Sequence, residues 1–332
     1  MEQVKAIKSF FARTGGKHFS KKDILPFIKD LKYKTYVEPF VGAGSIFLGR
    51  EKKAEIEVIN DFDILAINLW KGMKECGSEL KDKSLYFQDK SVFKWWLLKE
   101  KQNRRLKQEN YINDIETFKE DLFIVKHSRF SDTSQKLPNK KGVTKFNSSQ
   151  CFANDIKIVN YNNTKEDLEV LCRIENNDNI ISIKKFKMYL RKKNSDDETK
   201  WRLHNPNTGG FKMILQDCVK YQERLKDTLI HQGDYKRMIE MYDSPDTLFY
   251  FDPPWTKNGF GKEDRVFYSG FVGLEDFYNS VKDIKGKVMI SYNNDPEILE
   301  TFKDYNIEYI NTIYTQRKPG NKQTVDILIM NF

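Results

Sequence analysis

The sequence is short of cysteine and histidine, with four of each, and neither set is grouped. Cys76, Cys151, Cys172 and Cys218 lie far apart with no CxxC pair, and the histidines show neither HExxH nor zinc-finger spacing. No structural metal and no disulfide framework are therefore expected, and reduced thiols are the default. No apolar run is long enough to span a bilayer, and the first residues lack the apolar stretch of a signal peptide. The protein is accordingly expected to act in the compartment where it is made, not to be secreted. No internal repeat is visible.

What is present fits a soluble globular chain. Its 332 residues allow one sizeable domain plus an insertion, or two domains. Charged residues at 32% and apolar ones at 39% exclude the disordered and fibrous classes. The net charge of +9 suits a polyanionic partner but does not by itself establish one.

Short apolar runs followed by sharp punctuation recur along the chain. TYVEPFVGAG enters a glycine turn, AEIEVINDFD ends in acids, and TLIHQGDY and TLFYFDPPW repeat the pattern. Such runs, bounded by Gly, Pro or Asp, read as buried strands. DILAINLWKGMK (63–74) and residues 212–226 have helical spacing. KVMISYNN reads as a further strand, and IEYINTIYT with TVDILIMNF as a closing hairpin-like pair. The order predicts an α/β fold with a mostly parallel sheet and functional residues at strand C-terminal ends. Residues 79–212 break the pattern with stretches rich in Lys, Arg, Asn and aromatics, such as VFKWWLLKEKQNRRLKQENY. They read as an insert between two halves of one α/β domain, residues 1–78 and 213–332.

Three turns carry the chemistry. In EPFVGAGS (38–45) an acid, Glu38, ends a strand, and Gly42 and Gly44 allow torsions and close approach that a Cβ would block. A helix is expected at Ser45–Leu48. The missing third glycine counts against a dinucleotide such as NAD. In INDFD (59–63), about 20 residues further on, an acid at a strand end is placed to grip a ribose diol. Asp61 is favoured for this, and Asp63 is as well explained as a helix N-cap. In LFYFDPPWTKNGF (248–260) the prolines stiffen a turn after a buried strand. Asp252 and the Pro253 carbonyl are acceptors suited to an NH2 group, Pro254 completes the rigid turn, and Trp255 offers a face on which a heteroaromatic ring stacks for roughly 1–3 kcal/mol. Taken alone, each turn has a structural explanation at least as good; their order along the chain is what points to one site.

That ordered set resembles the DNA adenine-N6 methyltransferases of the Dam type, the D12 class in its alpha-group. RTGGK (13–17) resembles the family's aromatic-x-GGK motif, EPFVGAGSIFL its FxGxG motif, and HQGDY (231–235) its GDF segment. DPPW (252–255) matches its DPPY, and NKQTVDILIMNF resembles its closing segment. The resemblance implies a Rossmann-like methyltransferase sheet with an inserted, mainly helical target-recognition domain. It implies S-adenosyl-L-methionine as cofactor, with S-adenosyl-L-homocysteine as product. It places Arg13, Gly16, Lys17, Glu38, Phe40, Gly42 and Gly44 at the cofactor, its methionine half above all, Asp61 at its ribose, and Asp234 and Tyr235 beside its adenine. Without the resemblance Asp234 reads as a helix cap and Tyr235 as a core aromatic.

The implied activity is site-specific methylation of adenine N6 in double-stranded DNA, on a flipped base, with a location in the cytoplasm or wherever that DNA resides. Two positions depart from the family: Arg13 replaces an aromatic residue, and Trp255 replaces Tyr. DPPW is also the form found in the RNA adenine methyltransferases of the MT-A70 type, which keeps RNA open as substrate. Arg13 in the cofactor motif leaves open a nucleic-acid-binding protein without activity. In the insert, Lys140, Lys141 and Lys145 are candidates for phosphate contacts. Arg202, Asn205 and Asn207 of WRLHNPNTGGFK are candidates for reading base edges, although an ordinary polar hairpin explains that segment equally well. A cognate restriction endonuclease is a conceivable partner, and the chain is expected to be a monomer or weak dimer.

Overall fold

The structure, a computed structural model, describes residues 2–13, 15–87, 92–107, 114–127, 156–163, 168–174, 177–184, 191–192, 201–202, 209–254, 272–313 and 323–332. The chain divides into two compact units, Met1–Lys74 with Glu223–Phe332, and Glu75–Gln222.

The first unit is built on seven strands: β1 (Thr35–Glu38), β2 (Ile56–Asp61), β3 (Leu229–Gln232), β4 (Thr247–Phe251), β5 (Lys287–Asn293), β6 (Asn306–Ile313) and β7 (Gln323–Met330). They lie in the order β3–β2–β1–β4–β5–β7–β6. β3, β2, β1, β4 and β5 pair in parallel, and β7 runs antiparallel to both of its neighbours. Helices α1 (Lys21–Lys29), α2 (Ile64–Cys76), α3 (Tyr235–Tyr242), α4 (Leu274–Val281) and α5 (Pro296–Thr301) alternate with the strands. This is the α/β fold with a mostly parallel sheet that the strand pattern predicts, and the Rossmann-like sheet that the resemblance implies.

The sequence explains the burial. β1 (TYVE) and β4 (TLFYF) are buried at every position, as central parallel strands covered on both faces require. β3, at the sheet edge, is exposed or half-buried throughout. α4 buries Leu274, Phe277 and Val281, spaced for one helical face, and carries Glu275 and Asp276 in its first turn, where the helix dipole favours acids. Phe277 meets Phe251 edge-on at 5.5 Å and Tyr292 at 6.1 Å, so this helix closes one face of β4 and β5. Each such aromatic side chain stabilises the fold by about 1.5–3 kcal/mol through burial.

From β1 the chain turns to β2 on one side, and from β3 it crosses to β4 on the other. The strand order therefore reverses between β1 and β4, and a crevice is expected outside their C-terminal ends. One local expectation is corrected here. Instead of a helix at Ser45–Leu48 the chain makes a single 3-10 turn, Phe47–Gly49, after which Arg50 is extended. Arg50, at φ −69° and ψ 140°, lies outside the helical region and ends the turn.

In the second unit, helices Val92–Lys107 and Ile115–His127 are joined by a polar network. Arg105 contacts Glu120 at 2.5 Å and Asp121 at 3.0 Å, and Gln102 donates to Asp121 at 2.8 Å. Burial pushes the Asp121 carboxyl up to about 6 against the pull of Arg105. The unit also holds a three-stranded antiparallel sheet, Ile156–Asn163, Leu168–Ile174 and Asn177–Lys184. The expectation of a mainly helical insert lacked this sheet, because its alternation is broken by polar pairs such as Asn162–Asn163. Helix Gly209–Leu225 follows.

Candidate active site

A cavity of about 240 Å³ lies in the first unit, lined both by the turn after β1 and by the turn after β4. These strands are hydrogen-bonded neighbours, so their C-terminal residues emerge side by side.

The glycine turn is shaped by contacts beneath it. Gly42 and Gly44 have φ of 48° and 63°, a region that L side chains rarely adopt. A Cβ on Gly44 would stand 2.5 Å from Trp70 Cζ2. Trp70, fully buried on α2, donates its indole N–H to the Gly42 carbonyl at 2.9 Å. The indole of α2 thus holds the turn from below while its backbone faces the cavity. Phe40 also lines the cavity, with its ring 5.1 Å from that of Tyr235.

Asp61 ends β2 beside this turn. Its Oδ2 accepts from Gly42 N at 2.8 Å, and its Oδ1 accepts from Asp63 N at 2.9 Å. Arg13 lies 3.5 Å from Asp61 Oδ1 and 3.1 Å from Asp63 Oδ2. Burial raises the Asp61 carboxyl above the ordinary range, with the Arg13 charge opposing. Asp63 accepts from Leu65 N at 3.0 Å at the start of α2, the capping role considered for it. Two backbone N–H groups and a guanidinium therefore fix Asp61 at the cavity wall, with lone pairs left for a diol. Phe62, between the two acids, is 55% exposed and lines the cavity. Sequence reading passed over it, although an apolar residue between two acids at a strand end was the available signal.

Asp234 and Tyr235 both line the cavity. Asp234 caps α3 by accepting from Lys236 N at 2.9 Å, and Tyr235 is 6% exposed within the core cluster. The structural explanations of these two residues therefore hold alongside their place at the cavity. Gly16 lines it too and is exposed.

Asp252 follows β4 and lines the same cavity. Lys17 Nζ donates to its Oδ1 at 2.6 Å, and Ser291 Oγ donates to the same oxygen at 3.1 Å. Among the described residues, Oδ2 accepts no hydrogen bond. Pro253 is buried, Pro254 half-buried, and both line the cavity. Ser291 escaped notice in the sequence as one polar residue inside an apolar strand.

Glu38, at the end of β1, is 2% exposed and lines the same cavity. Tyr36 OH donates to its Oε2 at 2.7 Å. Burial pushes the Glu38 carboxyl up to about 8, Tyr36 and Arg50 oppose the rise, and the charge of Asp252 adds to it. The Arg50 guanidinium lies 3.5 Å from the centroid of the Tyr36 ring and 2.5 Å from Glu57. Arg224 engages Glu57 as well, once at 3.0 Å. This buried network fixes the floor under Glu38.

Trp255, Lys140, Lys141, Lys145, Asn205 and Asn207 lie outside the described residues. Arg202 lies in the two-residue strand Trp201–Arg202 of the second unit. Among the described residues no group of His, Cys, Asp and Glu is arranged to hold a metal ion, and no helix is long and apolar enough to cross a membrane.

The sequence model of the family described as D12 class N6 adenine-specific DNA methyltransferase matches residues 14–316. A curated relative, the "Type II methyltransferase M1.LlaDCHI" of Lactococcus lactis subsp. cremoris, is 24% identical over 345 residues, which cover 98% of this chain and 96% of the relative. Of the two nucleic acids left open by DPPW, the match selects DNA. The chain belongs to the D12 class N6 adenine-specific DNA methyltransferases, transferases that methylate adenine in DNA.

Proposed function

We propose that the cavity binds S-adenosyl-L-methionine and that Asp252 and the Pro253 carbonyl present adenine N6, flipped from a recognition site in double-stranded DNA, for methylation. The observation that carries this reading is the single cavity lined by both the glycine turn after β1 and the Asp252–Pro254 turn after β4.

The residues present fit the cofactor. Glu38 and Lys17 put an acid and an ammonium in the lining, matching the ammonium and carboxylate of a methionine zwitterion. Gly42 and Gly44 leave room for the chain between. Asp61 keeps acceptor capacity for a ribose diol, and Phe62 and Tyr235 offer apolar surface for adenine. When bound, S-adenosylmethionine supplies an electrophilic methyl group on a sulfonium.

The protein's contribution is positioning and electrostatics. The lone pair of an adenine amine is delocalised into its ring. Asp252 Oδ2 and the Pro253 carbonyl would accept its two hydrogens and draw the nitrogen toward tetrahedral geometry, freeing that pair for in-line attack on the methyl carbon. The C–S bond would break as the N–C bond forms, releasing S-adenosyl-L-homocysteine, and N6 would lose one proton after transfer. Lys17 and Ser291 hold Asp252 Oδ1 meanwhile. Flipping costs a few kcal/mol, and stacking on Trp255 with the two hydrogen bonds offsets it.

The basic insert, residues 79–212, supplies the DNA contacts: Lys140, Lys141 and Lys145 to phosphates, and Arg202, Asn205 and Asn207 to base edges. The chain acts where its target DNA resides. The likeness to a Type II methyltransferase over the whole chain supports protection of DNA from a partner restriction endonuclease. The test is transfer of labelled methyl from S-adenosylmethionine to duplex DNA by the purified chain, with RNA of the same sequence in parallel. Incorporation into duplex DNA alone is expected. Equal incorporation into RNA, or none into either, would overturn the reading.

A further inference from the structure

We infer that Ser291 and Tyr250 are positioning residues for the Asp252 carboxylate, locking Oδ1 so that Oδ2 alone faces the target amine. The inference rests on the reading of Asp252 given above.

Strand register brings the three together. Phe251 of β4 pairs with Ile290 of β5, so one step further along both strands Asp252 comes level with Ser291. Asp252, one residue past the end of β4, is two residues from Tyr250, and in an extended chain the two project to the same face. Ser291 Oγ donates to Asp252 Oδ1 at 3.1 Å, and Tyr250 OH lies 3.0 Å from that Oγ. A serine hydroxyl has one hydrogen. Since it goes to Asp252, the tyrosine must donate into the serine oxygen, and the chain of hydrogen bonds has one direction. Burial raises the Tyr250 phenol well above its ordinary range, which keeps that proton in place.

Ser291 is fully buried and Tyr250 is 1% exposed, so water does not compete for these bonds. Lys17 fills the other acceptor site of Oδ1 at 2.6 Å. With Oδ1 saturated, the carboxylate cannot rotate to exchange its oxygens without breaking two charge-assisted hydrogen bonds. The Ser291 bond serves the geometry of one oxygen of one carboxylate, so its loss should appear in the rate of methyl transfer rather than in cofactor binding.

The test uses the full-length chain, duplex DNA and S-adenosylmethionine, with single-turnover methyl transfer and cofactor affinity measured separately. Ser291→Ala should slow transfer by about 10- to 100-fold, the range for losing a hydrogen bond to a charged group, with affinity within about twofold. Tyr250→Phe should slow it by about 3- to 10-fold, as the loss of one bond between neutral groups. Ser291→Thr, which keeps the hydroxyl, should recover most of the loss. Should Ser291→Ala fail to fold, Tyr250→Phe, which keeps its ring, decides alone. Wild-type rates in both variants beside an inactive Asp252→Ala would overturn the inference and leave the Asp252 reading standing. Rate and affinity falling together, with no recovery in Ser291→Thr, would overturn it as well. Full activity in Asp252→Ala would remove the reading beneath it.

Discussion

Lys17 Nζ lies 2.6 Å from Asp252 Oδ1, although 235 residues separate the two in the chain. The contact joins the glycine-lysine motif near the N-terminus to the turn after β4. Both side chains are largely removed from solvent, at 5% and 18% exposure. One ammonium with three donors can serve Asp252 and a cofactor carboxylate together.

Lys17→Met should therefore damage two functions at once. A charge-assisted hydrogen bond is worth about 1.5–3 kcal/mol, so cofactor affinity and single-turnover rate should each fall by at least about tenfold. Calorimetry and methyl-transfer kinetics on one preparation check this. A rate loss with unchanged affinity would assign Lys17 to Asp252 alone.

Glu38 sets a pH dependence. Burial pushes its carboxyl from an unfolded value near 4.5 up to about 8. Between those values the folded state holds more protons than the unfolded state, so stability falls as pH rises. The contribution is complete below the unfolded value and is lost as pH rises through the folded one, on the order of 5 kcal/mol at its largest. Glu38→Gln, neutral throughout, should flatten the fall in thermal midpoint between about pH 5 and 8.5. In the proposed site an arriving ammonium ionises Glu38. Cofactor binding near neutral pH should then release a proton in the wild type and none in Glu38→Gln, as read from calorimetry in buffers of different ionisation heat.

Arg13 stands where the family carries an aromatic ring, and it is spent on acids, 3.1 Å from Asp63 and 3.5 Å from Asp61. Arg13→Ala leaves two buried carboxylates without that partner, a change that costs about 3–5 kcal/mol for buried pairs. Thermal unfolding should show the loss. Cofactor affinity should fall too, because Asp61 loses the charge that opposes its desolvation.

Gly44→Ala should cost about 2–4 kcal/mol, combining a left-handed backbone with a clash against Trp70. Chemical denaturation measures it. Trp70→Phe in the same background should recover part of the loss by making room.

The site was legible where chemistry and chain neighbours coincide. EPFVGAG and FDPPW announce themselves because glycine and proline mark backbone geometry locally, and strand C-terminal ends follow from the apolar runs before them. The parallel sheet was legible for the same reason: short runs such as TLFYF are apolar after their first residue and end in a sharp turn, the pattern of a strand buried on both faces. The remainder depends on distant pairings. Nothing near Arg224 signals Glu57, 167 positions away, nor does Ser291 signal Asp252, 39 positions away. The sequence shows Arg13 only as a replacement for an aromatic residue, and the fold alone shows it paired with Asp61 and Asp63. In the insert, strands of seven and eight residues mix polar and apolar positions without clean alternation, so no period-two pattern stands out.

The most direct test of the central claim is mapping of N6-methyladenine in duplex DNA treated with the purified chain and S-adenosylmethionine, for the wild type and for Asp252→Ala. The account predicts methylated adenines confined to one short sequence with the wild type, and none with the variant. Undiminished methylation by Asp252→Ala would contradict it.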